Sequence, residues 1–157
     1  MQGTEPLGAA RVNSPWGTMV LLGTTTAITQ ILFPTESKAC SIRASNPIVL
    51  RAAQQLSEYF AGTRTTFTLP LDPAGTDFQK IVWNAIQGVP FGHTITYGEL
   101  AHTIGRPRAS RAVGQALGRN PIPIVVPCHR VLSHDGDGGY SGGIDSKRAL
   151  LQLESAS

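Results

Sequence analysis

Hydrophobic positions in the first half of the chain follow short strand-like runs and one helical repeat. Three segments are predicted to form β-strands: residues 18–23, 26–33 and 64–71. A helix is predicted to begin at Asn46 and Pro47, because asparagine caps helix N-termini and proline suits the first turn, and to end at Gly62. Its apolar residues have the spacing of one helix face: Val49, Ala52, Ala53, Leu56, Tyr59 and Phe60. This half is therefore predicted to be a small α/β unit.

The second half of the chain has mainly helical periodicity. The turn-rich sequence LDPAG at residues 71–75 predicts a boundary between two domains, residues 1–73 and 74–157. Thr76 and Gln79 then have the spacing of a capping box, which predicts a helix that begins directly after the boundary. A last helix is predicted near the end of the chain, over residues 145–154.

Between these helices the sequence predicts a helix-turn-helix. Residues 97–104 and 108–117 form two short helical segments separated by the turn sequence GRP. The outer face of the second helix consists mostly of small residues around one arginine: Ser110, Arg111, Gly114, Gln115 and Gly118. Small residues allow a close approach to another molecule. Ordinary packing against a second helix is the alternative, since many helical hairpins bind no DNA.

The distribution of charge favours the first interpretation. The 157-residue chain has a net charge of only +3, but residues 100–134 contain no acidic residue. The same stretch contains five arginines: Arg106, Arg108, Arg111, Arg119 and Arg130. Such a stretch suits a polyanion, and a solvated basic face is the alternative.

Other features limit the class of protein. No apolar run approaches the roughly 18 residues that a membrane helix needs, so no membrane contact is expected. No signal-peptide pattern is present at the N-terminus. The two cysteines, Cys40 and Cys128, lie far apart. They indicate a reduced, cytoplasmic setting rather than a disulfide framework.

Cys128 is the strongest candidate for chemistry. Residues 122–126 are predicted to form a buried strand, and Pro127 should end it, which places Cys128 in a tight bend. A bend allows Cys128 and His129 to face one pocket, where the histidine can promote thiolate formation. A carboxylate behind the histidine would fix its tautomer. A small buried hydrophobic residue is the alternative for each cysteine. Zinc is not expected because no CxxC motif is present.

The surrounding motifs resemble the O6-alkylguanine-DNA alkyltransferases. The motifs that carry the resemblance are NPIPIVVPCHRVL at residues 120–132, GGYSGG at 138–143, KRALLQLE at 147–154, GTDFQKIVW at 75–83, TYGELA at 96–101 and RASRAVGQALGRNP at 108–121. They cover residues 75–154, whereas the N-terminal half matches only loosely, in SPWG at residues 14–17.

The resemblance implies both a fold and a reaction. The implied fold class is α/β, with a small ribonuclease H-like N-terminal domain and a helical, winged-helix-like C-terminal domain that contains the helix-turn-helix. The implied reaction is irreversible, stoichiometric transfer of an alkyl group from O6-alkylguanine, and from O4-alkylthymine, in double-stranded DNA to the protein's own cysteine. No cofactor is implied. A monomer in solution is expected, and cooperative binding on DNA is left open.

The resemblance also implies residue roles for the chemistry. Cys128 matches the alkyl acceptor, and His129 matches the residue that takes its proton through a water. Glu154 matches the carboxylate that orients His129. Asn120 matches the residue that ties the bend to the helix-turn-helix, and Tyr97 matches a hydroxyl near the base.

Other matched residues concern DNA. Arg111 matches the arginine that fills the gap left by a flipped base. Ser110, Gly114, Gln115 and Gly118 match the helix face that enters the minor groove, and Arg119 is an additional candidate for a phosphate contact. Tyr140 and Ser141 match the loop that lines the base pocket, and the Val131 and Cys128 carbonyls match acceptors for the guanine amine.

Two features depart from the family pattern. Some members hold zinc in the N-terminal domain, but that half of this chain offers only Cys40 and no histidine, so no metal is expected. The acidic residues in the loop over residues 133–139 are unexpected near DNA.

Two other functions fit parts of the sequence. A sensor of alkylated bases that performs no transfer is the main alternative, but members of that kind lack the acceptor cysteine. A thiol hydrolase that uses Cys128 and His129 would leave the helix-turn-helix and Arg111 unexplained.

Overall fold

The computed structural model describes residues 7–37, 44–134, 136, 138–140 and 142–155. Contacts within the chain divide it into two compact units, Met1–Ala74 and Gly75–Ser157. The first contains a β-sheet and the second is mainly helical, so the predicted α/β class is confirmed. Within the described residues, no helix is both long enough and apolar enough to cross a membrane. Cys40 lies outside the described residues.

The N-terminal unit is an antiparallel sheet covered by helices. Its strands lie in the order β1 (Gly8–Ser14), β2 (Gly17–Gly23) and β3 (Ile28–Leu32). The helices are α1 (Pro34–Ser37) and α2 (Pro47–Phe60). The buried side chains of Met19, Leu21 and Leu56 lie in the core of this unit. Strand β1 was not predicted because its sequence, GAARVNS, is mostly small and polar, as an edge strand permits.

The predicted strand over residues 64–71 is wrong. Only Leu71 forms an isolated bridge, to Ile28, and the rest of the segment joins no ladder. The side chain of Gln55 replaces part of that ladder, because its Oε1 accepts from the Thr68 N–H at 3.0 Å and its Nε2 donates to the Thr68 hydroxyl at 3.0 Å. Pro70 has no N–H to donate.

In its described residues, the C-terminal unit contains four helices, one 3₁₀ turn and two very short strands. Its elements are α3 (Asp77–Ile86), β4 (Ile95–Thr96), α4 (Tyr97–Thr103), α5 (Ser110–Gly118), a 3₁₀ turn (Cys128–Arg130), β5 (Val131–Leu132) and α6 (Ile144–Ser155). The capping box predicted at Thr76 and Gln79 is present, and Thr96 and Glu99 form a second one at α4.

Two contacts fix the part of this unit that carries Cys128. The indole Nε1 of Trp83 on α3 donates to the Ala116 carbonyl of α5 at 2.8 Å, and both residues are buried. Strands β4 and β5 pair in parallel, with Ile95 opposite Val131. Since Tyr97 directly follows β4 and Cys128 lies just before β5, this pairing brings the two side chains to the same region.

Candidate active site

The backbone before Cys128 is a double turn, so the predicted strand over residues 122–126 is wrong. The Val125 N–H donates to the Pro123 carbonyl at 2.9 Å, and Ile124 between them has a φ of 74°. A left-handed φ is strained for a β-branched residue, and such strain must be held by the surroundings. The Cys128 N–H then donates to the Val126 carbonyl at 2.8 Å, with Pro127 at φ −83° and ψ 62°, which is an inverse γ-turn. Cys128 thus lies in a tight bend, as was predicted from the proline that precedes it.

Asn120 holds this double turn in place. Its Oδ1 accepts from the Ile122 N–H at 2.9 Å, and its Nδ2 donates to the Val126 carbonyl at 2.9 Å and to the Cys128 Sγ at 3.2 Å. The residue is buried and directly follows the end of α5. One amide therefore fixes both the strained backbone and the sulfur relative to that helix.

A buried carboxylate lies behind His129. The imidazole Nε2 donates to the Glu154 carboxylate at 2.7 Å, and both side chains are almost completely buried. The Arg130 guanidinium donates to the same carboxylate from its Nε at 2.9 Å and from one terminal nitrogen at 3.0 Å. Its other terminal nitrogen donates to the Val89 carbonyl at 2.7 Å. Paired with an arginine in this way, Glu154 is held as a carboxylate and acts as an acceptor.

Burial keeps His129 neutral. Desolvation lowers its pKa and outweighs the opposing effect of Glu154. Because Nε2 carries the proton that is donated to Glu154, Nδ1 of the neutral ring has a free lone pair. This Nδ1 is buried and has no hydrogen-bond partner among the described residues. The ring is therefore prepared to accept a proton.

Burial also keeps Cys128 protonated. It raises the pKa of the thiol to about 11, while the hydrogen bond from Asn120 and the positive charge of Lys147 act in the opposite direction. Desolvation likewise raises the pKa of the Tyr97 hydroxyl, which accepts from the Gly139 N–H at 3.3 Å. Both groups hold their protons at neutral pH, so a thiolate forms only when a base takes the Cys128 proton.

Most of the predicted site residues surround one cavity of about 480 Å³, a volume typical of small-molecule sites. Its lining includes Tyr97, Arg111, Gly114, Gln115, Gly118, Cys128 and Tyr140. His129, Glu154 and Asn120 lie behind Cys128, as described above. Ser110 lines a neighbouring depression together with Ser133 and His134.

Arg119 and Val131 do not line this cavity. Arg119 is exposed beyond the end of α5. Val131 is fully buried, and its carbonyl accepts from the Lys147 ammonium at 2.6 Å. Ser141 lies outside the described residues.

The sequence predicts no role for Lys147, and it places Arg130 among the arginines expected to suit a polyanion. That expectation is wrong for Arg130, because its guanidinium is paired with Glu154 and donates to the Val89 carbonyl. Arg130 and Lys147 are both buried at the site. A signal for Lys147 was present, since residues three to four and seven apart share one helix face. Once Glu154 of α6 is placed behind Cys128, Lys147 and Leu150 must face the same way, and all three are buried.

Comparisons with known proteins identify the family of the chain. The family described as "6-O-methylguanine DNA methyltransferase, DNA binding domain" matches residues 77–156, and its "ribonuclease-like domain" matches residues 10–73. A methylated-DNA–protein-cysteine methyltransferase of Methanosarcina acetivorans is 45% identical over 146 residues, which is 90% of this chain and 94% of the relative. One of Mycobacterium tuberculosis is 46% identical over 147 residues, covering 91% and 89%.

Solved structures give the same result. A Mycobacterium tuberculosis OGT in complex with DNA has a TM-score of 0.87 and 43% identity, covering 95% of this chain and 93% of that one. A Mycobacterium tuberculosis O6-methylguanine methyltransferase has a TM-score of 0.85 and 41% identity, covering 96% and 94%. The chain therefore belongs to the methylated-DNA–protein-cysteine methyltransferase family, which confirms the resemblance and makes it a DNA-binding methyltransferase of DNA repair.

The described residues contain no group of three or more His, Cys, Asp or Glu side chains that could hold a metal ion.

The Asn120 contacts predict a loss of stability. We expect Asn120→Ala to lower the free energy of unfolding by about 3 kcal/mol, because the buried Ile122 N–H loses its acceptor and the Val126 carbonyl keeps only the Cys128 N–H as a donor. Chemical denaturation would measure the change. Asn84→Ala, on the exposed face of α3, is the control and should cost far less. Equal losses in the two variants would show that the hydrogen bonds of Asn120 do not stabilise the turn.

The raised pKa of Cys128 predicts a loss of stability at alkaline pH. The folded thiol keeps its proton to about 11, whereas an unfolded thiol loses it near 9, so the contribution is complete below pH 9 and is lost as the pH rises through 11. The free energy of unfolding should therefore fall by about 2 kcal/mol more in the wild type than in Cys128→Ser between pH 8 and 11. Denaturation curves at several pH values would measure it. Parallel curves would show that the folded thiol ionises normally.

Proposed function

We propose that this protein repairs double-stranded DNA by transferring the alkyl group of O6-alkylguanine, and of O4-alkylthymine, to Cys128, once per molecule. The observation that carries the proposal is the buried array of Cys128, His129 and Glu154 at the wall of a cavity beside α5. The Cys128 Sγ attacks the alkyl carbon, the new S–C bond forms, and the C–O6 bond breaks. Its electron pair stays on the base oxygen. The thioether product has no route back to a thiol, so the protein is consumed.

The proton is taken from the thiol by His129. The Nδ1 lone pair of the neutral ring is the acceptor, and a bridging water would carry the proton from Sγ to it. Glu154 stabilises the resulting imidazolium through Nε2, and Arg130 holds Glu154 in the required orientation. This arrangement is that of an activated cysteine nucleophile, with a base that is itself oriented by a third group.

The leaving group is a base anion, which needs a proton donor. The Tyr97 hydroxyl lines the cavity and stays protonated because burial raises its pKa. We assign this hydroxyl to the developing charge on the base. Tyr140, across the cavity, and Ser141 complete the proposed base-binding loop. The Cys128 and Val131 carbonyls are proposed to accept from the guanine amine. The Val131 carbonyl already accepts from Lys147, but a carbonyl oxygen has two lone pairs, so one is left for the amine.

A base in a duplex cannot reach this cavity, so we propose that the target nucleotide flips out of the stack. Arg111 lies exposed at the cavity rim on α5, where its side chain can occupy the vacated position. Ser110, Gly114 and Gly118 have little or no side chain and allow α5 to approach the floor of the narrow minor groove. Gln115 is assigned to the same face of α5 in the minor groove, and Arg119 is assigned to a phosphate contact.

Several finer assignments stay predictions. They are action as a monomer, cooperative binding on DNA, a cytoplasmic location, and placement of the reaction in a domain over residues 74–157. A sensor that performs no transfer is the alternative, and the presence of Cys128 beside His129 argues against it. A duplex that carries one O6-methylguanine separates the two.

Transfer predicts a single change of mass. After mixing with such a duplex, the intact protein should gain one methyl group, saturating at one per molecule, and peptide mapping should place it on Cys128 rather than Cys40. Cys128→Ala should bind the duplex without gaining mass. Tight binding by the wild type with no gain would identify a sensor, and repeated turnover would identify a hydrolase.

The proposed role of Arg111 predicts that its removal slows methyl transfer from duplex DNA more than methyl transfer from the free base. Arg111→Ala should slow methyl removal from the duplex by about tenfold or more, because flipping costs a few kcal/mol and the arginine offsets part of that cost. Its reaction with free O6-methylguanine should change little. Arg108→Ala removes the same charge from an exposed position just before α5 and is the control. Equal slowing of both substrates in Arg111→Ala would refute the proposed role in flipping.

A further inference from the structure

Lys147 is a buried cation that the chemistry above does not use. Its side chain is completely buried in the C-terminal unit. Its ammonium donates to the Val131 carbonyl of β5 at 2.6 Å and to the Gly139 carbonyl at 3.1 Å. It also lies 5.9 Å from the centre of the Tyr97 ring, a distance at which a cation is attracted to an aromatic face.

These three contacts join separate walls of the cavity. Val131 follows the turn that carries Cys128, Tyr97 begins α4, and Gly139 belongs to the segment before α6. Tyr97, Cys128 and Gly139 all line the cavity. Lys147 therefore holds together the turn that carries Cys128, the ring of Tyr97 and the segment that contains Gly139.

Burial of an ammonium group costs free energy, so a positive charge that is kept in the interior is expected to have a function. Removing such an ion from water costs several kcal/mol, and an apolar side chain of similar size often serves packing as well or better. The positive charge of Lys147 lowers the pKa of the Cys128 thiol against the effect of burial, and it also lowers the pKa of His129. The charge thus favours the thiolate that attacks the alkyl carbon, and it favours the neutral form of His129 before the proton is transferred. The protonated form of His129 is stabilised by Glu154 instead.

We propose that Lys147 is a positioning residue of the transfer reaction, which holds Val131, Gly139 and Tyr97 around the cavity and stabilises the Cys128 thiolate with its charge. This inference rests on the proposed function. The charged and titratable groups around Cys128 are Tyr97 on α4, Arg111 on α5, His129 and Arg130 on its own turn, and Lys147 and Glu154 on α6. Helix α3 also packs against this turn, but its buried face is apolar and its charged residues, Asp77 and Lys80, are exposed.

The test is the pH profile of Cys128 alkylation by iodoacetamide, which needs no DNA. Peptide mapping distinguishes Cys128 from Cys40. In Lys147→Met the profile should move to higher pH, with a rate at pH 8 about tenfold below that of the wild type, since the thiolate is the reacting form. Lys147→Arg keeps the charge and should stay close to the wild type. Lys80→Met removes a lysine from the exposed face of α3 and is the control.

Each other outcome has a definite meaning. An unchanged profile in a folded Lys147→Met would overturn the proposal. If thermal melting shows that Lys147→Met does not fold, Lys147→Gln, which keeps a donor but not the charge, carries the same test. Failure of both to fold while Lys147→Arg folds would assign the residue to stability alone and also overturn the proposal. Absence of methyl transfer by the wild type would instead refute the proposed function, whatever the profiles show.

Discussion

One buried carboxylate, that of Glu154, joins the last helix to the turn that carries Cys128. Burying it is costly, and it is retained because Arg130 and His129 donate three hydrogen bonds to its two oxygens. Arg130 also reaches the Val89 carbonyl, so the same ion pair fixes the segment after α3. Removal of either Arg130 or Glu154 would leave the charge of the other without compensation in the interior. The contacts of Glu154 therefore determine three features together. These are the position of α6, the tautomer of His129 and the path of the turn.

That constraint explains how a reactive thiol is kept unreactive. Cys128 is 5% exposed, and burial holds its pKa far above neutrality, so solvent meets a protonated sulfur. The groups that would ionise it are already in place: His129 with an available Nδ1, Asn120 on the sulfur, and Lys147 nearby. In the proposed mechanism, these groups act on the sulfur from the positions that they occupy in this structure.

The sequence predicted elements wherever local chemistry decides the structure. The capping box at Thr76 and the helical spacing of α2 are of this kind, because a side chain and its backbone partner lie within one turn. The strand predicted over residues 122–126 is wrong, since a run of Ile, Val and Pro is apolar in a strand and in a buried turn alike. The left-handed φ of Ile124 is imposed by Asn120 and the packing around it. Contacts of this kind, like that of Lys147 with Val131, depend on residues that come together only in the folded chain.

Two glycines lie close to the ring of Tyr97. On one side of its ring lies Gly114 of α5, where an added Cβ would be in ordinary contact at 3.7 Å. On the other lies Gly138, with a φ of +73° and space so limited that a Cβ would lie 2.5 Å from the tyrosine hydroxyl. The same hydroxyl accepts from the next residue, Gly139. The absence of a side chain at residue 138 is therefore what allows the loop to hydrogen-bond Tyr97. Any side chain there would displace either the loop or the Tyr97 hydroxyl, which is the group proposed to serve the leaving group.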